Sequence, residues 1–164
     1  MNLYLIRHAA AAPLGEGDIY DDAERPLTAV GQSQSRALAA ALQRIGVYLG
    51  KVVTSPLLRA RQTAEGMLQH WSPPVPELLV CKELAGGGKR RRLTRFVQNL
   101  DVESAALVGH MPDLAGYAAW LIGSKKAHLE LAKAGIARIN FEDVPAKGAG
   151  VLNWLVTPEW YAAP

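Results

Sequence analysis

The sequence contains a single cysteine, Cys81, so it cannot form an internal disulfide. No group of cysteines and histidines has the spacing of a zinc site, and one unpaired thiol favours a reducing compartment. No stretch approaches the roughly twenty apolar residues of a membrane-spanning helix, and the apolar segment 2–6 is too short for a signal peptide. We therefore expect a cytoplasmic protein with no membrane contact.

Neither sign of charge is in large excess. The chain has 18 lysines and arginines against 15 acidic residues, which gives a formal charge of +3. A mild positive charge suits an anionic substrate, but with aromatic residues at only 7% it does not indicate nucleic-acid binding. Hydrophobic residues make up 49% of the 164 residues, which predicts one globular domain over residues 1–164.

Short apolar, β-rich runs alternate with longer helical patterns, which predicts an α/β fold. Thr28 is a good N-cap for a helix that reaches about Ile45. Pro56 suits a first helical turn and predicts a second helix from Ser55–Pro56 to about Trp71. We expect a three-layer α/β/α domain around a mostly parallel sheet, with strands at 2–6, 51–54, 78–82, 105–109, 136–141 and 151–156 and further helices at 90–100 and 112–122.

Two predicted strands end at a histidine. Arg7 and His8 follow the first strand, His110 follows the strand at 105–109, and Arg59 falls in the first turn of the helix after another strand. Ligands bind beyond the carboxyl ends of parallel strands, and helix N-termini attract anions. These residues therefore predict a phosphate-sized pocket.

Four segments resemble motifs of the histidine phosphatase superfamily, in family order over residues 3–112. Arg7-His8-Ala9 resembles the Arg-His-Gly signature, Leu27–Gln34 the Leu-Thr-x-x-Gly-x-x-Gln segment, and Val108–Pro112 the second-histidine motif. The most specific match is Ser55–Ala64, which is close to Ser-Pro-Leu-x-Arg-Ala-x-Gln-Thr-Ala.

Within that superfamily the chain is similar to the SixA-like branch of phosphohistidine phosphatases. Asp22–Thr28 resembles that branch's Asp-x-x-Arg-Pro-Leu-Thr, and alanine after the first histidine, here Ala9, is common there. The chain has no room for the long helical insertion of larger relatives. The resemblance implies a phosphoglycerate-mutase-like fold without that insertion, and hydrolysis of phosphohistidine.

The resemblance also implies that His8 is the nucleophile. Neutral imidazole is a good nucleophile near pH 7, and a hydrogen bond from one ring nitrogen to a carbonyl leaves the other nitrogen free to attack. Arg7 and Arg59 would bind the phosphoryl oxygens through forked hydrogen bonds, with His110 as a third, cationic donor to the phosphoryl group in the transition state. With this much fixed positive charge, no metal or other cofactor is implied.

A general acid for the leaving group is harder to assign. The candidates are Asp22, in the acidic loop ahead of Arg25, and Glu83, at the end of the strand predicted at 78–82. Either carboxylate could instead be structural, with Asp22 paired to Arg25 and Glu83 paired to a nearby lysine.

A strong phosphate site without an obvious acid favours a phosphohistidine substrate. An alkoxide needs a well-placed acid to leave, whereas the P–N bond breaks readily once its imidazole is protonated. A site without lid helices also admits a side chain of a folded protein, such as a phosphorelay or histidine phosphotransfer domain. The alternatives are a broad-specificity phosphomonoesterase, a mutase-like activity that would need an enclosed site, and a non-catalytic phosphate-binding module in which Ala9 marks lost activity.

A basic run, Lys89–Arg92 with Arg95 one turn later, has two interpretations. It is either a solvated helix start, where cations oppose the helix dipole, or a surface that attracts an acidic or phosphorylated partner. The first interpretation is the commoner one for short basic runs. We expect the remaining histidines, His70 and His128, at the surface. We expect the tryptophans to pack in the core or at its rim: Trp71, Trp120, Trp154 and Trp160.

Overall fold

A computed structural model describes residues 1–162 of the chain, and in these residues six strands form one sheet flanked by four α-helices. The predicted domain extends to residue 164, and its last two residues lie outside the described part. The strands are β1 (Asn2–Arg7), β2 (Lys51–Thr54), β3 (Glu77–Val80), β4 (Ser104–Gly109), β5 (Ile136–Asn140) and β6 (Val151–Val156). The helices are α1 (Ala29–Arg44), α2 (Leu58–Leu68), α3 (Arg90–Gln98) and α4 (Asp113–Leu121).

The sheet is mostly parallel, as predicted. Its order is β3-β2-β4-β1-β5-β6, in which the first four strands are mutually parallel and the last two pair antiparallel. Strand β4 lies between β2 and β1, with Val108 paired to both Thr54 and Ile6. Three of the four segments that carry the phosphatase-like motifs therefore leave the sheet side by side at its carboxyl edge.

Alternating strand residues build one hydrophobic core on each face of the sheet, because successive side chains in a strand point to opposite faces. In β1, Leu3 and Leu5 belong to the core that also contains residues of α3 and α4, whereas Tyr4 and Ile6 belong to the core with residues of α1 and α2. The same alternation runs through β4. The result is the three-layer α/β/α architecture predicted from the sequence.

Helix α2 is shorter than predicted at both ends. The hydroxyl oxygen of Ser55 accepts a hydrogen bond from the Leu57 N–H at 3.3 Å, and Leu57 is extended, so the helix begins only at Leu58. Its last regular residue is Leu68, because the N–H groups of His70 and Trp71 bond three residues back in a tightened turn. Arg59 nevertheless lies in the first turn, as the sequence predicts.

Three local predictions are corrected by the structure. Strand β3 ends at Val80, because the chain turns into a short 3-10 helix at Lys82–Leu84, and Glu83 therefore lies in that turn rather than at a strand end. Trp160 is not packed in the core or at its rim, since 82% of it is exposed. Helix α3 ends at Gln98 instead of residue 100.

His70 and His128 are exposed, as predicted. None of the helices within residues 1–162 is long and apolar enough to span a membrane. In the same part of the chain, no three of the histidine, cysteine and acidic side chains are grouped so that they could hold a metal ion.

Candidate active site

The site forms where β1, β4 and β2 end. The ladder continues one residue beyond each strand, because the His8 N–H donates to the Gly109 carbonyl and the Ser55 N–H donates to the Val108 carbonyl, both at 2.9 Å. These bonds fix where His8 and His110 leave the sheet. The two imidazole rings lie with their centroids 5.0 Å apart and tilted by 51°.

The ring of His8 is buried and oriented by a backbone bond. Its Nδ1 lies 2.8 Å from the carbonyl oxygen of Ala9, which can only accept, so Nδ1 carries the proton in the neutral ring. The other nitrogen, Nε2, accepts a hydrogen bond from Arg59 Nε at 3.3 Å. The unprotonated Nε2 therefore faces the guanidinium group that would bind a phosphoryl oxygen.

Arg59 is already engaged by an internal carboxylate. It is buried, and its two terminal nitrogens donate to Asp22, one to the backbone oxygen at 2.6 Å and one to Oδ2 at 3.0 Å. Arg25 donates to the other carboxylate oxygen of Asp22 at 2.9 Å. These hydrogen bonds, first the one from Arg25 and then the one from Arg59, hold the pKa of the Asp22 carboxyl below its usual value.

His110 is held by a residue to which the sequence analysis gave no role. Its Nε2 lies 2.8 Å from the hydroxyl oxygen of Ser55, which is completely buried. The same hydroxyl oxygen accepts from the Leu57 N–H. The second ring nitrogen, Nδ1, is buried and finds no hydrogen-bond partner within residues 1–162. It is therefore free to donate to an anion in the site.

Arg7 supplies the second guanidinium group of the site. One terminal nitrogen donates to the Leu131 carbonyl at 2.9 Å, and Nε is buried with no partner in the described part of the chain. In the register of β1 and β4, Arg7 pairs with Gly109, the residue before His110, and the charge of Arg7 helps to lower the pKa of both His8 and His110. The structure thus brings Arg7, His8, Arg59 and His110 together.

Both imidazoles are uncharged at neutral pH in this site. Burial lowers the pKa of His8 to about 3, and the neighbouring His110, Arg59 and Arg7 act in the same direction. Burial and then Arg59 lower the pKa of His110 to about 4. A neutral His8 is the form that a nucleophile requires. Positive neighbours disfavour a charge on His110 in the free protein, and its cationic role in the transition state stays a prediction.

The two acid candidates lie on different sides of the site. Asp22 is bound to Arg59 and Arg25, as described above. The Glu83 carboxylate accepts a hydrogen bond from the Lys89 backbone N–H at 3.2 Å and lies 3.9 Å from Arg92. A lysine was expected to pair with Glu83 through its side-chain amine, but Lys89 binds the carboxylate through its backbone N–H instead. Glu83 and His110 line the same small cavity, of about 30 Å³.

Motif residues with no assigned role hold the loop that follows His8. Thr63 accepts the Ala9 N–H at 3.0 Å, and Gln34 accepts the Ala10 N–H at 2.9 Å. Gln62 accepts the Leu27 N–H at 2.7 Å on the returning part of the loop. All three residues lie inside the motifs quoted from the sequence, and this was the one sequence feature that could have pointed to them. The backbone group that each one binds depends on how the loop folds back onto α1 and α2.

The family is decided by comparison with known proteins. The model of the histidine phosphatase superfamily (branch 1) matches residues 3–92, more than half of the chain. The chain belongs to the histidine phosphatase superfamily. The matched segment of this histidine phosphatase includes Arg7, His8 and Arg59, and membership indicates a phosphatase, which is a hydrolase.

Individual relatives of this histidine phosphatase cover nearly all of the chain. A protein of a Picosynechococcus strain is 36% identical over 98% of both chains. The phosphohistidine phosphatase SixA of Escherichia coli is 29% identical over 96% of this chain and 94% of its own.

Two solved structures show how widely the fold is used. The protein histidine phosphatase SixA complexed with tungstate superimposes with a TM-score of 0.83 at 28% identity, over 96% of this chain and 97% of that one. A phosphoserine phosphatase of Entamoeba histolytica has a TM-score of 0.70 at 14% identity, over 94% and 95% of the two chains. This second likeness shows a shared fold alone.

Proposed function

We propose that the protein hydrolyses phosphohistidine on a protein substrate through a covalent phosphoenzyme at His8. The observation that carries the proposal is the orientation of the His8 ring, whose Nδ1 is bound to the Ala9 carbonyl and whose Nε2 faces Arg59. The similarity to SixA, a phosphohistidine phosphatase in Escherichia coli and a tungstate-binding protein in its solved structure, supports the same substrate and a tetrahedral oxyanion in this pocket.

In the first step the lone pair of His8 Nε2 attacks phosphorus. The bond between phosphorus and the substrate imidazole breaks, and the leaving nitrogen takes up a proton. Arg7, Arg59 and the Nδ1 of His110 bind the three non-bridging oxygens, where the transition state carries its charge. In the second step water attacks the phosphorus on His8, inorganic phosphate leaves, and His8 returns to its neutral form.

The surroundings of Asp22 and Glu83 bear on the substrate class. Asp22 is ionised at neutral pH because two guanidinium groups stabilise its charge, and Glu83 accepts an N–H bond next to a third one. The ionised Asp22 carboxylate cannot donate the proton that an alkoxide needs to leave. A leaving imidazole is basic enough to take its proton from water, so the site suits phosphohistidine better than a phosphate monoester.

Two alternatives are less well supported. A broad phosphomonoesterase would share the cationic pocket, but Asp22 is held in its ionised form by Arg25 and Arg59 and cannot act as its general acid. A non-catalytic phosphate-binding module was suggested by Ala9 in place of glycine. The Ala9 residue is completely buried in the core with residues of α1 and α2, so its methyl group does not narrow an open site.

The remaining parts of the proposal concern the setting of the reaction. We expect residues 1–164 to act as a single histidine phosphatase domain in the cytoplasm, on a phosphorelay or phosphotransfer protein, with no nucleic-acid substrate. The chemistry described above assigns every step to side chains of the chain and to water, without a metal or other cofactor.

The test of the proposed function uses a histidine phosphotransfer domain carrying radiolabelled phosphohistidine. We expect the wild type to release labelled phosphate and to carry a transient, acid-labile label on itself. The His8→Asn variant should lose turnover by several orders of magnitude and form no phosphoenzyme, because the nucleophile is absent. Full turnover in this variant would exclude His8 as the nucleophile.

The matched control is His70→Asn. His70 is exposed, and its Nδ1 bonds a backbone carbonyl at 2.9 Å much as that of His8 does. This variant should keep wild-type turnover. Parallel rates on a phosphoserine peptide should be lower than on phosphohistidine by about a hundredfold or more, the contribution of a missing general acid. Equal rates on both substrates would favour the broad phosphomonoesterase.

A further inference from the structure

The basic surface, defined as the side chains of Lys89–Arg92, is a feature that the reaction does not use. All four residues are exposed at the start of α3. Arg92 makes one ion pair, with Glu83 at 3.9 Å, and the other three make none within residues 1–162. The sequence alone could not distinguish a solvated helix start from a binding surface. The choice between them depends on where these side chains lie and on how they affect the stability of α3.

The basic surface opposes the stability of the helix on which it lies. Helix N-termini favour anions, and the first turn of α3 contains three arginines and no acidic residue. The N-cap position is Lys89, whose side chain makes no capping bond. Glu83 offsets part of this charge, because it accepts the Lys89 backbone N–H and pairs with Arg92. The side chains of Lys89, Arg90 and Arg91 make no ion pair within residues 1–162, so an acidic partner would find them available.

The basic surface adjoins the active site. Arg90 and His110 line the same small cavity, together with Glu83. The turn before α3 is tight, because a Cβ at Gly88 would lie 2.0 Å from the Glu83 carbonyl oxygen, and the Gly87 N–H donates to Asp113 at 3.0 Å. Gly87 and Gly88 thus connect the basic surface to Asp113 and Glu83 through direct contacts.

We propose that the basic surface binds acidic side chains next to the phosphohistidine on the protein substrate. This inference rests on the proposed function and specifies the partner that the site selects. A cationic surface beside an open active site raises the local concentration of an acidic partner and speeds its association, an effect that salt weakens. Its four residues include no aromatic side chain on which bases could stack, which favours a protein over a single-stranded nucleic acid.

The decisive variant reverses two of these charges, Lys89→Asp with Arg91→Glu. Aspartate is a strong N-cap, and glutamate in the first turn complements the helix dipole, so the variant should melt higher by about 2–4 °C. The same variant should turn over an acidic substrate more slowly. Opposite effects on stability and on substrate use distinguish a binding surface from a structural one.

The substrates are two peptides with the same central phosphohistidine, flanked in one by glutamates and in the other by serines. We expect wild type to prefer the acidic peptide by about tenfold or more in kcat/KM at low salt, with the preference falling as salt is added. The double variant should lose that preference through a higher KM for the acidic peptide. Its kcat/KM on the serine peptide should be unchanged.

The matched control is Lys125→Asp with Lys126→Glu, which changes the net charge equally. These lysines follow Gly123, which packs against Gly148 in the β5–β6 turn, at the end of the sheet opposite to the active site. The control should keep the full preference for the acidic peptide.

Several outcomes would overturn the proposal. They are equal wild-type rates on the two peptides, a preference that survives in the double variant, or a control that loses it as well. Competition by duplex DNA as strong as competition by the unphosphorylated acidic peptide would overturn the assignment to a protein partner. Failure of wild type to hydrolyse either peptide would instead count against the proposed function itself.

Discussion

At the scale of single residues, the contact between Ser55 and His110 explains how the second histidine is oriented. Their 2.8 Å bond is buried, and the Ser55 oxygen already accepts the Leu57 N–H. The Ser55 proton finds no other acceptor within residues 1–162, and donating it to His110 Nε2 leaves the ring protonated on Nδ1. Ser55 thereby acts as a positioning residue that presents an N–H group to the phosphoryl oxygens.

Replacing Ser55 by alanine should therefore affect catalysis more than binding. The Ser55→Ala variant leaves His110 Nε2 buried without its partner, which costs roughly 1–3 kcal/mol of stability. It also frees the ring to rotate, and we expect kcat to fall by about ten- to a hundredfold with little change in KM. Steady-state kinetics and denaturant unfolding measure the two effects.

Ser35→Ala provides the comparison for this prediction. Ser35 is also completely buried, and its hydroxyl donates to the Gly31 carbonyl at 3.0 Å, away from the reacting groups. This variant should lose stability while retaining kcat. An unchanged kcat in Ser55→Ala would show that the serine is only structural.

At the scale of elements, the first turn of α1 is closely packed against the loop that follows His8. The Ala10 carbonyl accepts a bond from the Thr28 N–H at 3.0 Å. A Cβ at Gly31 would lie 2.0 Å from the same carbonyl oxygen. Helix α1 therefore contacts the backbone one residue beyond Ala9, whose carbonyl orients the nucleophile.

The Gly31→Ala substitution tests this coupling. Alanine normally stabilises a helix relative to glycine by about 1 kcal/mol. Here the overlap must displace either the helix or the loop, so we expect a net loss of roughly 1–3 kcal/mol together with a lower kcat. The comparison is Gly66→Ala in α2, where the new methyl group would lie 3.1 Å from the Ser35 Cβ and far less would have to move. A stabilised, fully active Gly31→Ala would contradict the packing.

At the scale of the whole molecule, the burial of two neutral imidazoles makes the stability depend on pH. Their pKa values of about 3 and about 4 lie below the ordinary 6.5, so between these values the unfolded chain binds protons that the folded protein does not. The free energy of unfolding therefore has its full value above pH 6.5 and decreases as the pH falls towards 4. The expected slope is roughly 1.4 kcal/mol per pH unit for each histidine.

Unfolding measured by denaturant between pH 5 and 6.5 checks this dependence. The His8→Asn variant should have a shallower slope, since one of the two buried imidazoles is gone. The exposed His70→Asn should retain the slope of wild type. Identical slopes in all three proteins would mean that the two site histidines do not titrate as described.

The parts of this structure that could be predicted from the sequence are those that depend on short, local sequence patterns. The apolar run of β1 and the cap at Thr28 predict their elements, and placing motifs at strand ends predicts that His8 and His110 share an edge of the sheet. The bond between Asp22 and Arg59 joins residues 37 apart, and that between Ser55 and His110 joins residues 55 apart. Such pairs, and the uncharged state of His110, depend on how distant segments pack and exclude water.

The carboxylate of Asp22 has a final consequence for turnover. It is bonded to one terminal nitrogen of Arg59 before any substrate arrives, so a phosphoryl group bound by Arg59 would meet an anion that the protein itself supplies. In the proposed reaction we expect the same carboxylate to repel the free phosphate ion after hydrolysis. The protein would thereby assist the departure of its own product from a strongly cationic pocket.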